Sequence, residues 1–151
     1  MRSANITVRG ATRSDLPGIE HHYGPLDNLG DSFCDVAKIQ EIQFDWLVIG
    51  EIAGEYAGFL YWHLGEKPFF APHIENFAHI REVQVLEKFQ GQGVGRELTV
   101  YVLDKLKALG TKDVFLAMGE TNNPARHLYE SLGFTQLRKQ ILYALRINRP
   151  P

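Results

Sequence analysis

The sequence predicts an α/β fold, a mixed sheet with helices packed on it, in the order β α(α) β β β α β α β β. Three observations carry that expectation. Short runs rich in β-branched and aromatic residues alternate along the chain with segments of helical periodicity. One such run ends at Val85, passes through a short turn and reaches three glycines, at 91, 93 and 95, that open a long amphipathic helix. The chain has 151 residues, 44% hydrophobic and 23% charged. That is one domain by length, able to bury about two-thirds of its unfolded surface, and it excludes a disordered chain.

Ile6-Thr-Val-Arg9 alternates as a short strand. Thr12-Arg-Ser-Asp15 supplies N-cap residue types before Leu16, and Pro17 suits a first helical turn, where its missing N–H costs nothing. Residues 16–43 read as helical pieces broken around Gly24-Pro25 and Gly30. Trp46–Ile52 and Tyr56–Leu64 read as strands joined through Ala53-Gly54-Glu55, a hairpin. Gly65–Phe77, with Pro68 and Pro72, reads as a loop, and His79–Val85 as a third strand-like run. Val94, Leu98, Tyr101, Val102, Leu106 and Leu109 then mark one face of a helix that Gly110 is placed to stop. Val114–Met118 is a short buried strand. Asn123-Pro124 reads as an N-cap and first helical residue, with Ala125, Leu128, Tyr129 and Leu132 on one face and Gly133 as stop. Phe134–Leu137 and Gln140–Ile147 form a final strand pair around Arg138-Lys139.

Net charge is −2, but it is unevenly spread. Residues 15–55 hold Asp15, Glu20, Asp27, Asp31, Asp35, Glu41, Asp45, Glu51 and Glu55 against a single Lys38. From residue 86 onward there are ten Lys or Arg against six acids. An acidic N-terminal side suits a cationic partner and a more basic C-terminal side an anionic one. No dense basic stripe with interleaved aromatics occurs, so nucleic acid is not the expected partner. The single Cys34 excludes an intrachain disulfide and fits a reducing compartment. No apolar stretch approaches membrane-spanning length and no charged-then-apolar leader opens the chain, so the expected location is cytoplasmic. His21, His22, His63, His73, His79 and His127 lack the short repeated spacing of a zinc site, and no metal is expected.

The segment from Val83 to Arg96 is the most informative. A strand, a glycine-rich turn and a helix start together build an anion site: the first helical N–H groups have no intrahelical partner, and the macrodipole adds partial positive charge there. Glycines admit close backbone approach and φ > 0. The natural ligand is a phosphate or pyrophosphate. A P-loop would need Gly-x-x-x-x-Gly-Lys-Ser/Thr, which is absent. A Rossmann turn would need Gly-x-Gly-x-x-Gly, and counted from Gly91 its last position is Arg96. The remaining pattern is Gln/Arg-x-x-Gly-x-Gly/Ala, met by Gln90-Gly91-Gln92-Gly93-Val94-Gly95.

With Asn122-x-x-Ala125-x-x-Leu128-Tyr129-x-x-x-Gly133-Phe134 following one helix and one strand later, the chain resembles the GNAT superfamily of acyl-CoA-dependent N-acyltransferases over nearly its whole length. The resemblance implies a single domain, residues 1–151, with a central mixed, mostly antiparallel sheet of six to seven strands, splayed beside the glycine turn. It implies acetyl-CoA as co-substrate, with its pyrophosphate on the backbone amides of Gly91, Gln92, Gly93, Val94 and Gly95 and Arg96 nearby. The pantetheine arm would pair with Val83 and Val85, with Asn122 close to it. Gln90 stands where the family more often has arginine, and Leu86-Glu87 where histidine and proline are frequent. Tyr129 matches the family's tyrosine acid, although periodicity alone makes it a core tyrosine. Glu82, on the strand leading into the turn, is a candidate general base, directly or through water, with an ordinary wet-face glutamate as the other reading and His79 as an alternative base. Trp46, Phe59, Tyr61 and Trp62 should mostly be core, with one or two lining an acceptor pocket. The expected activity is acetyl transfer to a primary amine by direct attack in a ternary complex, with a small cationic acceptor favoured by the acidic N-terminal side. The alternatives are a protein N-terminal or lysine acetyltransferase, and a non-catalytic acyl-CoA-binding module. A homodimer is compatible with the C-terminal strand.

Overall fold

Ala53 and Gly54 both take positive φ, 49° and 82°, the two-residue turn whose twist matches the strands it joins. It connects β2 (Leu47–Ile52) to β3 (Glu55–Gly65). Around this hairpin a five-stranded sheet is built in the order β1-β2-β3-β4-β5, with β1 at Ile6–Gly10, β4 at Phe77–Val85 and β5 at Asp113–Phe115. The first three pairings are antiparallel and β4–β5 is parallel. The computed structural model describes residues 5–23, 44–65, 74, 76–141, 143, 145 and 147–148. Cys34, the breaks expected around Gly24-Pro25 and Gly30, and most of the expected 65–77 loop lie outside the described residues.

The mixed α/β class holds, with five strands among the described residues where six to seven were expected. The chain divides into two compact units, Met1–Ala117 and Met118–Pro151. In the first, α1 (Leu16–Tyr23) follows a turn of 3-10 helix at Arg13–Asp15. Thr12 and Asp15 close that turn reciprocally: the Asp15 N–H donates to the Thr12 carbonyl at 2.9 Å and the Thr12 N–H to Asp15 Oδ2 at 2.8 Å. Ile19 of α1 packs with Leu47, Ile49, Phe59 and Tyr61 on one face of the sheet.

The other face carries α2 (Val94–Ala108). Val94, Leu98, Val102 and Leu106 are buried at four-residue spacing, whereas Tyr101 and Leu109, expected on the same face, are exposed. The buried row is a single i, i+4 ridge, and Thr99 takes the position beside it, its hydroxyl donating to the Gly95 carbonyl at 2.7 Å. Gly50 of β2 lets the helix start sit low on the sheet. A Cβ there would stand 3.1 Å from Val94 Cγ1 and 3.4 Å from Leu98.

In the second unit, α3 (Asn123–Ser131) is capped by Asn122, whose Oδ1 accepts the Ala125 N–H at 3.3 Å. The cap is therefore one residue earlier than Asn123, because only from Asn122 does the side chain reach the third helical N–H. Gly133, at φ 97°, ends the helix, and the Phe134 N–H returns to the Tyr129 carbonyl. The strand pair expected over 134–147 is not formed among the described residues; Leu137, Ile141, Tyr143, Leu145 and Ile147 stand exposed.

Arg9 ties β1 to β2 and to α1's leading turn, donating to Glu51 Oε1 at 2.8 Å and to both Asp15 oxygens at 2.8 and 2.9 Å. These hydrogen bonds hold the Asp15 carboxyl down at about 2. A depressed carboxyl stabilises the fold above its unfolded value near 3.8, and that contribution is lost as pH falls from there to about 2. Arg9→Met should flatten stability across that pH window, by less than about 1 kcal/mol because the guanidinium is solvated, as read from urea midpoints. Gly50→Val should cost about 1–3 kcal/mol through overpacking against Val94, measured by the same denaturation.

Candidate active site

β4 has unequal neighbours. On one side it pairs with β3 from Phe77↔Gly65 to Val85↔Gly58, and the Leu86 N–H extends the ladder to the Ala57 carbonyl at 2.8 Å. On the other side β5 pairs only with Phe77, Ala78 and His79. From Ile80 to Val85 no strand among the described residues occupies that side, so the backbone of Val83 and Val85 is free of a ladder there. The register also shifts, since Trp62 faces Ile80 and Tyr61 faces Glu82, leaving Arg81 as a bulge. Bulges re-aim the side chains that follow them.

The open stretch of β4 leads into the turn. Glu87–Phe89 form a single turn of 3-10 helix, with the Phe89 N–H on the Leu86 carbonyl at 2.8 Å. This settles the local shape where histidine and proline were absent. Gln90 Nε2 donates back to the Val85 carbonyl at 3.1 Å, fastening the turn to the strand end. Gly91 and Gly93 lie in the left-handed region, φ 79° and 96°, and Gly93 caps α2 without a side chain. The Glu97 N–H returns to the Gly93 carbonyl at 3.0 Å, so the N–H groups of Val94, Gly95 and Arg96 precede the first intrahelical bond. Gly91, Gln92 and Gly93 are exposed. A diphosphate fits this cradle: bare amides, dipole end and no capping side chain in the way.

Glu82 stands on the α1 face of the sheet, opposite Tyr61 and half-buried. Its Oε2 accepts from the Tyr23 hydroxyl of α1 at 3.3 Å, and its Oε1 from Gln84 Nε2. Burial first, and then the Glu82 charge, push the Tyr23 hydroxyl up to about 12. The Tyr23 ring meets Phe59 edge-on at 5.2 Å. Glu82 is thus a held, partly sheltered carboxylate on the inner face of the sheet. His79, the alternative base, lies directly across from His63, their rings 5.4 Å apart, and Arg81 Nη1 reaches His63 Nε2 at 3.3 Å. Arginine only donates, so His63 accepts through Nε2 and gives its Nδ1 proton to the Leu64 carbonyl at 3.1 Å. Phe59, Tyr61 and Trp62 are core, and Trp46 is half-buried near His63.

Glu82, Val83, Val85 and the whole of Gln90–Arg96 therefore belong to one unit, strung along β4 and its exit. Asn122 and Tyr129 belong to the other. Within it, Tyr129 is buried on α3 against Phe134, ring centroids 5.6 Å apart, and Asn122 uses its Oδ1 as the helix cap. Periodicity alone had not singled out Tyr23 or Gln84. Their signal lies in the sheet pairing and in α1's docking. Among the described residues no group of three or more His, Cys, Asp or Glu side chains could hold a metal, and no helix is long and apolar enough to cross a membrane.

The model of the acetyltransferase (GNAT) family matches residues 17–134, and the chain belongs to that family. A phosphinothricin N-acetyltransferase from Streptomyces viridochromogenes is 31% identical over 142 residues, covering 86% of this chain and 74% of the relative. A mycothiol acetyltransferase from Thermomonospora curvata is 39% identical over 71 residues, 47% of this chain and 24% of the relative, so the match spans about a quarter of that protein's length. The fold is shared with a putative acetyltransferase from Salmonella typhimurium solved with its cofactor acetyl-CoA: TM-score 0.66 at 18% identity, over 95% of this chain and 87% of the other.

Gly93, at φ 96° at the head of α2, adopts a backbone conformation that a side chain would strain. Gly93→Val should weaken coenzyme A binding at least tenfold by isothermal titration, while Gln92→Ala, whose contribution there is a backbone amide, should change it less than threefold.

Proposed function

We propose that this chain transfers an acetyl group from acetyl-CoA to the primary amine of a small molecule, by direct attack in a ternary complex. The feature that carries the reading is the side of β4 from Ile80 to Val85 that no strand among the described residues covers, followed through one 3-10 turn by the glycine cradle at the head of α2. An extended, amide-bearing arm attached to a diphosphate needs that combination: strand backbone to pair with, then unpartnered N–H groups for the charge. On this reading Val83 and Val85 hold the pantetheine amides. The N–H groups of Gly91, Gln92, Gly93, Val94 and Gly95 hold the pyrophosphate, with Gln90 bracing the turn and Arg96 beside it. Asn122, whose Oδ1 caps α3, presents its side-chain NH2 near the pantetheine. The match from 17 to 134 crosses the boundary between the two units, which supports reading residues 1–151 as one acetyltransferase domain, placed in the cytoplasm.

Bound acetyl-CoA supplies an activated thioester, and the chain's residues handle the protons. An amine near pKa 10 is mostly protonated at neutral pH and must lose a proton before it can attack. Glu82 takes that proton, directly or through one water. Tyr129 gives a proton to the departing thiolate and is restored by the second proton, which the nitrogen loses after attack, so that the products are an amide, a neutral thiol and the one proton that Glu82 passes to solvent. The acceptor is a small amine, as the names of the phosphinothricin and mycothiol relatives suggest for those proteins. Of the nine carboxylates that favoured a cationic acceptor, Asp15 and Glu51 are occupied by Arg9, and Glu55 by Lys88. Asp27, Asp31, Asp35 and Glu41 lie outside the described residues. Glu20 and Asp45 are exposed and keep a cationic acceptor as the favoured choice.

Acetyl-CoA with a library of small amines should release free thiol, and Tyr129→Phe should cut kcat at least tenfold with KM for acetyl-CoA unchanged. Coenzyme A at a hundred times its Kd should add about 2.7 kcal/mol of stability, with NAD and ATP adding none. Binding without turnover of any amine would make the chain an acyl-CoA-binding module instead.

A further inference from the structure

We infer that Tyr23 is a positioning residue for Glu82: its hydroxyl, delivered from the end of α1, holds one oxygen of the carboxylate beside the bulge of β4. The inference rests on the reading of Glu82 as base, and adds a residue that no motif marks. Glu82 has two oxygens, and the structure assigns each a donor from a different source. Tyr23 reaches Oε2 from the helix packed on the sheet, and Gln84 reaches Oε1 from two residues along the same strand. Gln84 alone would leave the carboxylate free to swing about its own strand. A second donor from another element removes that freedom. The Tyr23 ring is itself held edge-on by Phe59, which faces Gln84 across the β3–β4 ladder, so donor, ring support and carboxylate form one packed group.

The phenol suits this task because it remains a donor throughout the working pH range. Among the described residues, Tyr61 lies directly opposite Glu82 on β3, and Arg81 stands next to it in the bulge with its guanidinium at His63 Nε2. At 3.3 Å the Tyr23 contact is long for a hydroxyl–carboxylate bond, as hydrogen bonds at catalytic groups commonly are before substrate is bound. Hydrogen bonding to a charged form favours that form, and a fixed base lies closer to the attacking geometry.

The test compares Tyr23→Phe, Glu82→Gln and the double variant in the full chain, with acetyl-CoA and whichever amine gives turnover. Tyr23→Phe keeps the ring and its contact with Phe59, so thermal unfolding should be close to that of the parent. The expected result is a three- to tenfold fall in kcat, an unchanged KM for acetyl-CoA, and an acid limb of the kcat/KM profile moved to higher pH. In the Glu82→Gln background, Tyr23→Phe should cause no further loss. If Tyr23→Phe leaves rate and pH profile as they were while Glu82→Gln is inactive, Tyr23 has no such role and the assignment of the base stands. Full activity in Glu82→Gln would overturn both. Should Tyr23→Phe unfold, Gln84→Ala with Tyr23 intact provides the second measurement: the acid limb staying in place shows that Tyr23 suffices to hold the carboxylate, and a limb displaced by a full pH unit or more shows that it does not.

Discussion

Most of what this chain can do depends on the unequal pairing of β4. β3 holds one side of it along its whole length, while β5 leaves the other after His79. A strand paired on both sides would have nothing to offer a ligand, and one paired on neither would not stay extended. With one side satisfied, β4 keeps its shape, while on its other side no strand among the described residues pairs with Ile80 to Val85, and Gln90 takes the Val85 carbonyl. The helix that follows must then begin beside that free stretch, because the turn from Val85 to Gly93 is short and is closed by its own hydrogen bonds. Gly50 allows the first turn of α2 to come down onto the sheet at this point. Geometry, more than any one reactive side chain, makes the site.

The same strand carries chemistry on its opposite face. Residues alternate across a strand, so Val83 and Val85 share the α2 face with Leu60 and Gly58, while Glu82 and Gln84 share the α1 face with Tyr61 and Phe59. The side chains of Glu82 and Gln84 and the open backbone edge thus occupy one short segment without competing. The bulge at Arg81 adjusts the phase between the part of β4 that belongs to the sheet and the part that belongs to the site.

Much of this was legible from residue order. β-branched runs, the Ala53-Gly54 turn, the four-residue spacing of Val94, Leu98, Val102 and Leu106, and the glycine turn each state a local preference that the fold keeps. Relations between elements were less accessible. The bulge at Arg81 depends on which β3 residue faces which β4 residue, and no single-strand pattern encodes that. Tyr23 looked like one more aromatic at a helix end until the packing of α1 set it beside Glu82. Tyr101 and Leu109 extended an apolar pattern that the narrow ridge of α2 did not need. The final apolar run, 134–147, had strand-like alternation, but alternation states only that a strand is possible. A strand exists when a neighbour accepts its hydrogen bonds, and neighbours are a property of the whole chain.

The lengths of the outer strands have a further consequence. Interior β3 and β4 run for eleven and nine residues, whereas the two border strands, β1 and β5, have five and three. A long exposed border is a template on which another polypeptide can add, and truncating it is among the common protections against self-association. β1 adds to its brevity a charged arginine bound on two sides, and β5 is too short to nucleate a foreign ladder. Among the described residues, the two outer strands thus give another polypeptide little length on which to add.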